Sequence, residues 1–80
     1  VKIVGKQLQR VIRRMVDEPE AVRVSSYRAR GATHFKLRLA DDDLGKVIGR
    51  QGRTAWALRA ILEARGERDG REYALEIRDS

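Results

Sequence analysis

Nine residues in the middle of the chain carry most of its chemistry: Gly45-Lys46-Val47-Ile48-Gly49-Arg50-Gln51-Gly52-Arg53. Two glycines bracket Arg50 and Gln51, and cations stand inside the bracket and on both sides of it. A glycine has no side chain, so backbone N–H groups beside it can come close to an anion. A helix opening near Arg53 adds its positive end, and Lys46, Arg50 and Arg53 add side-chain charge. The pattern is neither Gly-x-Gly-x-x-Gly nor a P-loop, because Gly45-Lys46 is followed by Val47 rather than Ser or Thr. A plain turn between helices accounts for the glycines but not for the cations in and around them.

The remaining reactive residue types form no constellation. Cysteine is absent, which excludes disulfides, a thiolate nucleophile and a zinc finger. His34 is the single histidine and reads as a solvated residue on a strand rather than a metal ligand. Asp41-Asp42-Asp43 reads as a helix cap, since consecutive carboxylates do not converge on one cation. Ser25, Ser26 and Ser80 have no base nearby for acyl chemistry. The expectation is a protein that is not an enzyme, with no metal, no cofactor and no small-molecule substrate.

Charge points elsewhere. Lys plus Arg is 18 against 12 for Asp plus Glu, a net +6, and 14 of the cations are arginine, whose planar fork suits phosphate. Such an excess on a small body favours a nucleic acid or another polyanion, although a well-solvated surface also explains part of it. Eighty residues make one domain, 1–80. No apolar run approaches the roughly 18 residues that span a membrane. Residues 1–4 are a short apolar cluster followed by Lys6 and Arg10, unlike a signal peptide. With no cysteine, a reducing cytoplasm is the expected location.

The elements that must position the central stretch follow from periodicity. Val4, Leu8, Val11, Ile12, Met15 and Val16 recur at helical spacing, and Asp17-Glu18-Pro19 should stop that helix. Gly5 weakens its first turn. Residues 21–28 read as a strand with Val22 and Val24 on one face. Residues 33–39 alternate, with Phe35, Leu37 and Leu39 inward and His34, Lys36 and Arg38 on a wet, basic face. The short link around Gly31 predicts an antiparallel hairpin. Leu44, Val47 and Ile48 mark a helix of about two turns, capped by Asp41 or Asp42 and broken at Gly49. A further helix covers 53–65 with Gly66 as its C-cap, and its stripe is Thr54, Ala55, Leu58, Ile61 and Leu62. Asp69-Gly70 is a turn, and 71–78 is the last strand, with Tyr73, Leu75 and Ile77 on one face. The order is α-β-β-α-α-β, an α+β two-layer sandwich with helices on one face of a three-stranded sheet.

Val47-Ile48-Gly49-Arg50-Gln51-Gly52 resembles the V-I-G-x-x-G signature of KH domains. The element order resembles their type II, prokaryotic form, and length and loop context together resemble the KhpA family of small stand-alone bacterial proteins. The resemblance covers essentially the whole chain. It implies a GxxG loop that clamps single-stranded RNA, with Gly49, Arg50, Gln51 and Gly52 in the loop, Lys46 and Arg53 beside it, and Ile48 in an apolar platform. Many KH domains carry isoleucine where this chain has Ala55. The resemblance further implies a role in post-transcriptional regulation or RNA chaperoning, with a second KH-domain protein as a partner.

Trp56 lies roughly opposite Leu58 on its helix, flanked by Ala57, Ala60 and Ala64. Small residues around one aromatic permit close approach of another surface. A homodimer interface at Trp56, Ala60 and Ala64 is one reading; a base-stacking platform, or cover for a neighbouring helix, are others. The leading reading is a single-stranded RNA-binding module; the alternative is a protein-interaction module whose loop is vestigial, and an RNA-binding dimer would satisfy both. RNA and single-stranded DNA are not distinguished by these residues.

Overall fold

A computed structural model describes residues 2–79; Val1 of the opening apolar cluster and Ser80 of the serine set lie outside the described residues. The chain runs α1 (Lys2–Arg13), β1 (Arg23–Ala29), β2 (Ala32–Leu39), α2 (Leu44–Ile48), α3 (Arg53–Asp69) and β3 (Tyr73–Asp79). Short 3-10 turns occupy Pro19–Ala21, Asp41–Asp43 and Arg50–Gly52. The α-β-β-α-α-β order and the two layers are those expected from periodicity.

β2 is the middle strand. It pairs antiparallel with β1, setting Tyr27 against His34, and parallel with β3, setting Phe35 against Leu75. A parallel pair needs a crossover between its strands, and here α2 and α3 supply it. Both helices are therefore held on one side of the sheet. Phe35, Leu37, Leu39, Val22, Ile12 and Val47 are wholly buried between the layers. The Phe35 and Tyr73 rings meet edge to face at 5.3 Å. The hairpin turn is Arg30-Gly31, both at positive φ (55° and 78°), as a tight two-residue turn requires.

Several boundaries differ from the sequence expectation. α1 ends at Arg13, before Met15 and Val16. The N–H groups of Arg14 and Met15 turn back to Val11 and Ile12, and those of Asp17 and Glu18 donate to the Asp43 carboxylate. Val11, placed on the core stripe by spacing, is 49% exposed. The first strand begins at Arg23, because Pro19–Ala21 forms a 3-10 turn; the last begins at Tyr73. Gly66 does not cap α3. The helix continues to Asp69 and is capped by Gly70 at φ 69°. Gly66 is buried where the chain returns toward β3: the Arg71 N–H donates to its carbonyl at 2.8 Å, and a Cβ would stand 2.6 Å from the Arg71 carbonyl oxygen. It is a close-approach glycine.

Candidate nucleic-acid interface

The site is built from the break between α2 and α3. α2 closes when the Gly49 N–H donates to the Gly45 carbonyl at 2.8 Å. Gly49 then takes φ 79°, ψ 170°, a backbone region essentially reserved for glycine. A Cβ there would lie 2.3 Å from the Thr54 hydroxyl and 2.9 Å from the Thr54 nitrogen. The first glycine is thus fixed by geometry. Arg50 and Gln51 form the tip of the turn, with Gln51 at φ 58°, and the Gly52 N–H closes it on the Gly49 carbonyl at 3.1 Å. Gly52 is also left-handed, but a Cβ there would meet nothing within 4 Å.

α3 starts immediately after, at Arg53. No side chain caps its first turn, and no acidic residue stands in it. The first N–H groups of a helix have no partner within the helix and attract anions. Arg50, Gln51 and Arg53 are exposed, and Ile48 is 37% exposed beside them. The Arg53 guanidinium donates to the Gln51 Oε1 at 3.0 Å, which orders the two side chains at the loop tip. Ile48, Gly49, Arg50, Gln51, Gly52 and Arg53 are consecutive and gathered around one loop.

Lys46 is differently placed. Its ammonium donates to Asp17, and to Asp43 at 3.3 Å. Hydrogen bonding to Asp17, then to Asp43, raises its pKa above the ordinary lysine value. Its charge is largely matched by these two carboxylates, and its clearest structural effect is to tie α2 to the segment after α1. Asp43 itself caps nothing on α2, and neither Asp41 nor Asp42 makes a side-chain cap. Instead Asp43, 1% exposed, accepts the N–H groups of Asp17 and Glu18 at 3.1 and 2.9 Å. The Asp17 N–H, followed by the other donors, holds its pKa below the usual carboxylate range. This residue was missed as a loop anchor. A consecutive acidic run suggests a local cap, and its partners lie about 25 residues away.

The far side of α3 is open. Trp56 is 72% exposed, and Ala57, Ala60 and Ala64 are exposed beside it. Trp56 does not cover another helix of its own chain. Ile61, assigned to the core stripe by spacing, is 66% exposed on the same side, while Ala55 and Leu62 carry the buried face. Ala55, standing where many KH domains carry isoleucine, is 4% exposed.

An α-β-β-α-α-β sandwich whose two central helices are joined by an exposed Gly-x-x-Gly turn defines a KH domain of the type II arrangement. The family model of the KhpA/KhpB KH domain matches residues 5–77. A protein of Halalkalibacterium halodurans named RNA-binding protein KhpA is 45% identical over 65 residues, covering 81% of this chain and 86% of that one. Its namesake in Treponema pallidum is 44% identical over 69 residues, 86% of each chain. That of Streptomyces coelicolor is 45% identical over 70 residues, 88% of this chain and 89% of the other. The chain belongs to the KhpA/KhpB KH-domain family.

Proposed function

We propose that this protein binds single-stranded RNA, with the 49–52 loop clamping the sugar-phosphate backbone. The observation that carries the reading is the loop itself: a glycine turn, open above Gly52, leads into an uncapped helix start flanked by exposed Arg50 and Arg53. Exposed arginines gather at the one turn that runs into the start of α3, and the apolar Ile48 edge beside them offers bases a surface. Lys46 contributes mainly by holding α2 and the loop in position. The kinship with proteins named RNA-binding supports the same ligand. A cytoplasmic role in post-transcriptional regulation or RNA chaperoning is consistent with this activity. Among the described residues no helix is long and apolar enough to cross a membrane.

Replacing Arg50 and Gln51 together by Asp tests the clamp. Both side chains are exposed, so circular dichroism should be unchanged. Two carboxylates at the loop tip repel phosphate at short range, and binding of a short RNA on a filter should be lost. Wild-type affinity should fall steadily with added salt, since phosphate contacts release counterions. Unaltered affinity in the double variant would remove the loop from the binding site.

A second reading rests on a separate surface. The exposed Trp56, Ala60 and Ala64 flank of α3 supports self-association, either as a homodimer or with a second KH-domain protein. The two activities are compatible, because the loop stands at the start of α3 and the alanines lie further along it.

A further inference from the structure

The sheet face away from the helices is uncovered, and the strand register arranges it unusually. Arg23 of β1, Arg38 of β2 and Arg78 of β3 stand directly opposite one another in one cross-strand row. All three are exposed. Like charges placed opposite across strands destabilise a sheet, so the fold alone gives no reason for such a row. Arg23 is steadied by the carbonyls of Glu20 and Val22 at 2.7 and 3.0 Å. Arg78 lies 3.8 Å from Glu76, the one strand carboxylate on this face among the described residues. Arg38 has no ion pair among the described residues.

Two rows further along the same face lies an aromatic platform. Tyr27 and His34 stack with centroids 4.9 Å apart and planes 11° from parallel. The Lys36 ammonium lies 5.5 Å from the Tyr27 ring centre. The Tyr27 hydroxyl donates to Glu76 at 2.7 Å, reaching from β1 across β2 to β3. Tyr27 is therefore held in one orientation, yet it stays 43% exposed on an edge strand. A fixed aromatic ring beside a row of guanidinium groups is the chemistry that holds a single strand: phosphates to cations, bases to rings.

We propose that this open face is a second contact surface for single-stranded RNA, with Arg23, Arg38 and Arg78 taking phosphates and the Tyr27–His34 pair stacking a base. The inference rests on the RNA-binding reading above and extends it beyond the loop. The arginine row stands at the end of the sheet where the chain leaves β2 for α2 and the loop. To reach this face from the loop, a strand must pass around that end of the sheet. The longest dimension of the molecule is 34 Å. Even at the duplex spacing of about 3.4 Å per nucleotide, an RNA of about sixteen nucleotides exceeds it.

The test compares an RNA of about four nucleotides, enough to fill the loop, with one of about sixteen. Arg23→Ser with Arg38→Ser should leave binding of the short RNA unchanged. Affinity for the long RNA should fall about tenfold, and its salt slope should shrink by about 1.4, two contacts at about 0.7 each. The unfolding midpoint should change little, because relief of like-charge repulsion offsets the lost Arg23 contacts to the Glu20 and Val22 carbonyls. In the wild type, amide resonances of Ser25, Tyr27, Lys36 and Arg38 should shift with the long RNA and not with the short one, which checks the face without any substitution. Wild-type affinity of the variant for the long RNA overturns the inference and leaves the loop reading intact. Equal losses for both RNAs also overturn it. If the wild type binds neither RNA, the inference and the RNA-binding reading fall together.

Discussion

The Asp43 carboxylate ties the start of α2 to the segment after α1. It is almost wholly buried and accepts two backbone N–H groups from the segment after α1, with Lys46 as its counter-charge. Its pKa is held down, so it stabilises the fold above the ordinary carboxylate range, and that stability is lost as pH falls through its folded-state value. Lys46 acts oppositely: its pKa is raised, so its contribution is present below the ordinary lysine value and lost as pH rises through the folded one. Asp43→Asn keeps the shape but removes the charge. Thermal melts should show a lower midpoint than wild type by several degrees at neutral pH, and the gap should close on acidification. A gap that stays constant down to strongly acid pH would mean that packing, not charge, is what the substitution costs.

At the scale of elements, α3 carries both the loop and the return to β3, and Gly66 sets how closely it does so. Alanine in a helix interior ordinarily gains about 1 kcal/mol over glycine. Here the added Cβ would meet a backbone oxygen at 2.6 Å, which cannot swing aside as a side chain can. Overpacking of this kind costs about 1–3 kcal/mol, so Gly66→Ala should lower stability on balance in a denaturant titration; a rise would show that the α3–β3 connection yields freely. The same residue shows what sequence could and could not reveal. A glycine after a periodic run looks like a cap, and only the path of Arg71 over it shows the close approach. The alternation of β2 was plain, because Phe35, Leu37 and Leu39 are buried on one face. The loop was plain too, since its glycines and cations are contiguous. The end of α1 was hidden, because the segment that follows it is held by Asp43, distant in sequence. The arginine row was hidden because register, not spacing, brings three strands together.

For the whole molecule, the exposed side of α3 is an apolar surface that the RNA-binding reading leaves unused. Trp56 and Ile61 are 72% and 66% exposed, with Ala57, Ala60 and Ala64 between and beside them. They recur three and four residues apart and so form one face of the helix. Val11 of α1, 49% exposed, lines the shallow cleft that this face shares with Leu58 and Ile61. An aromatic anchor among small residues suits a close two-fold helix contact, the simplest closed way to cover an identical patch. A standard interface takes about 800 Å² from each partner, against a total accessible surface of 5611 Å² here. Pairing would also join two of the proposed RNA-binding loops, and the second contact on one strand would then form at high effective concentration. The protein should therefore sediment as a homodimer at micromolar concentration. Ala60→Arg places bulk and like charge across the two-fold axis. Because Ala60 is exposed in the single chain, the variant should remain folded by circular dichroism while sedimenting as a monomer. Its affinity for a long RNA should drop toward that of a single site. A wild type that sediments as a monomer would remove the dimer altogether, and an Ala60→Arg variant that still sediments as a dimer would place self-association elsewhere than on this face of α3.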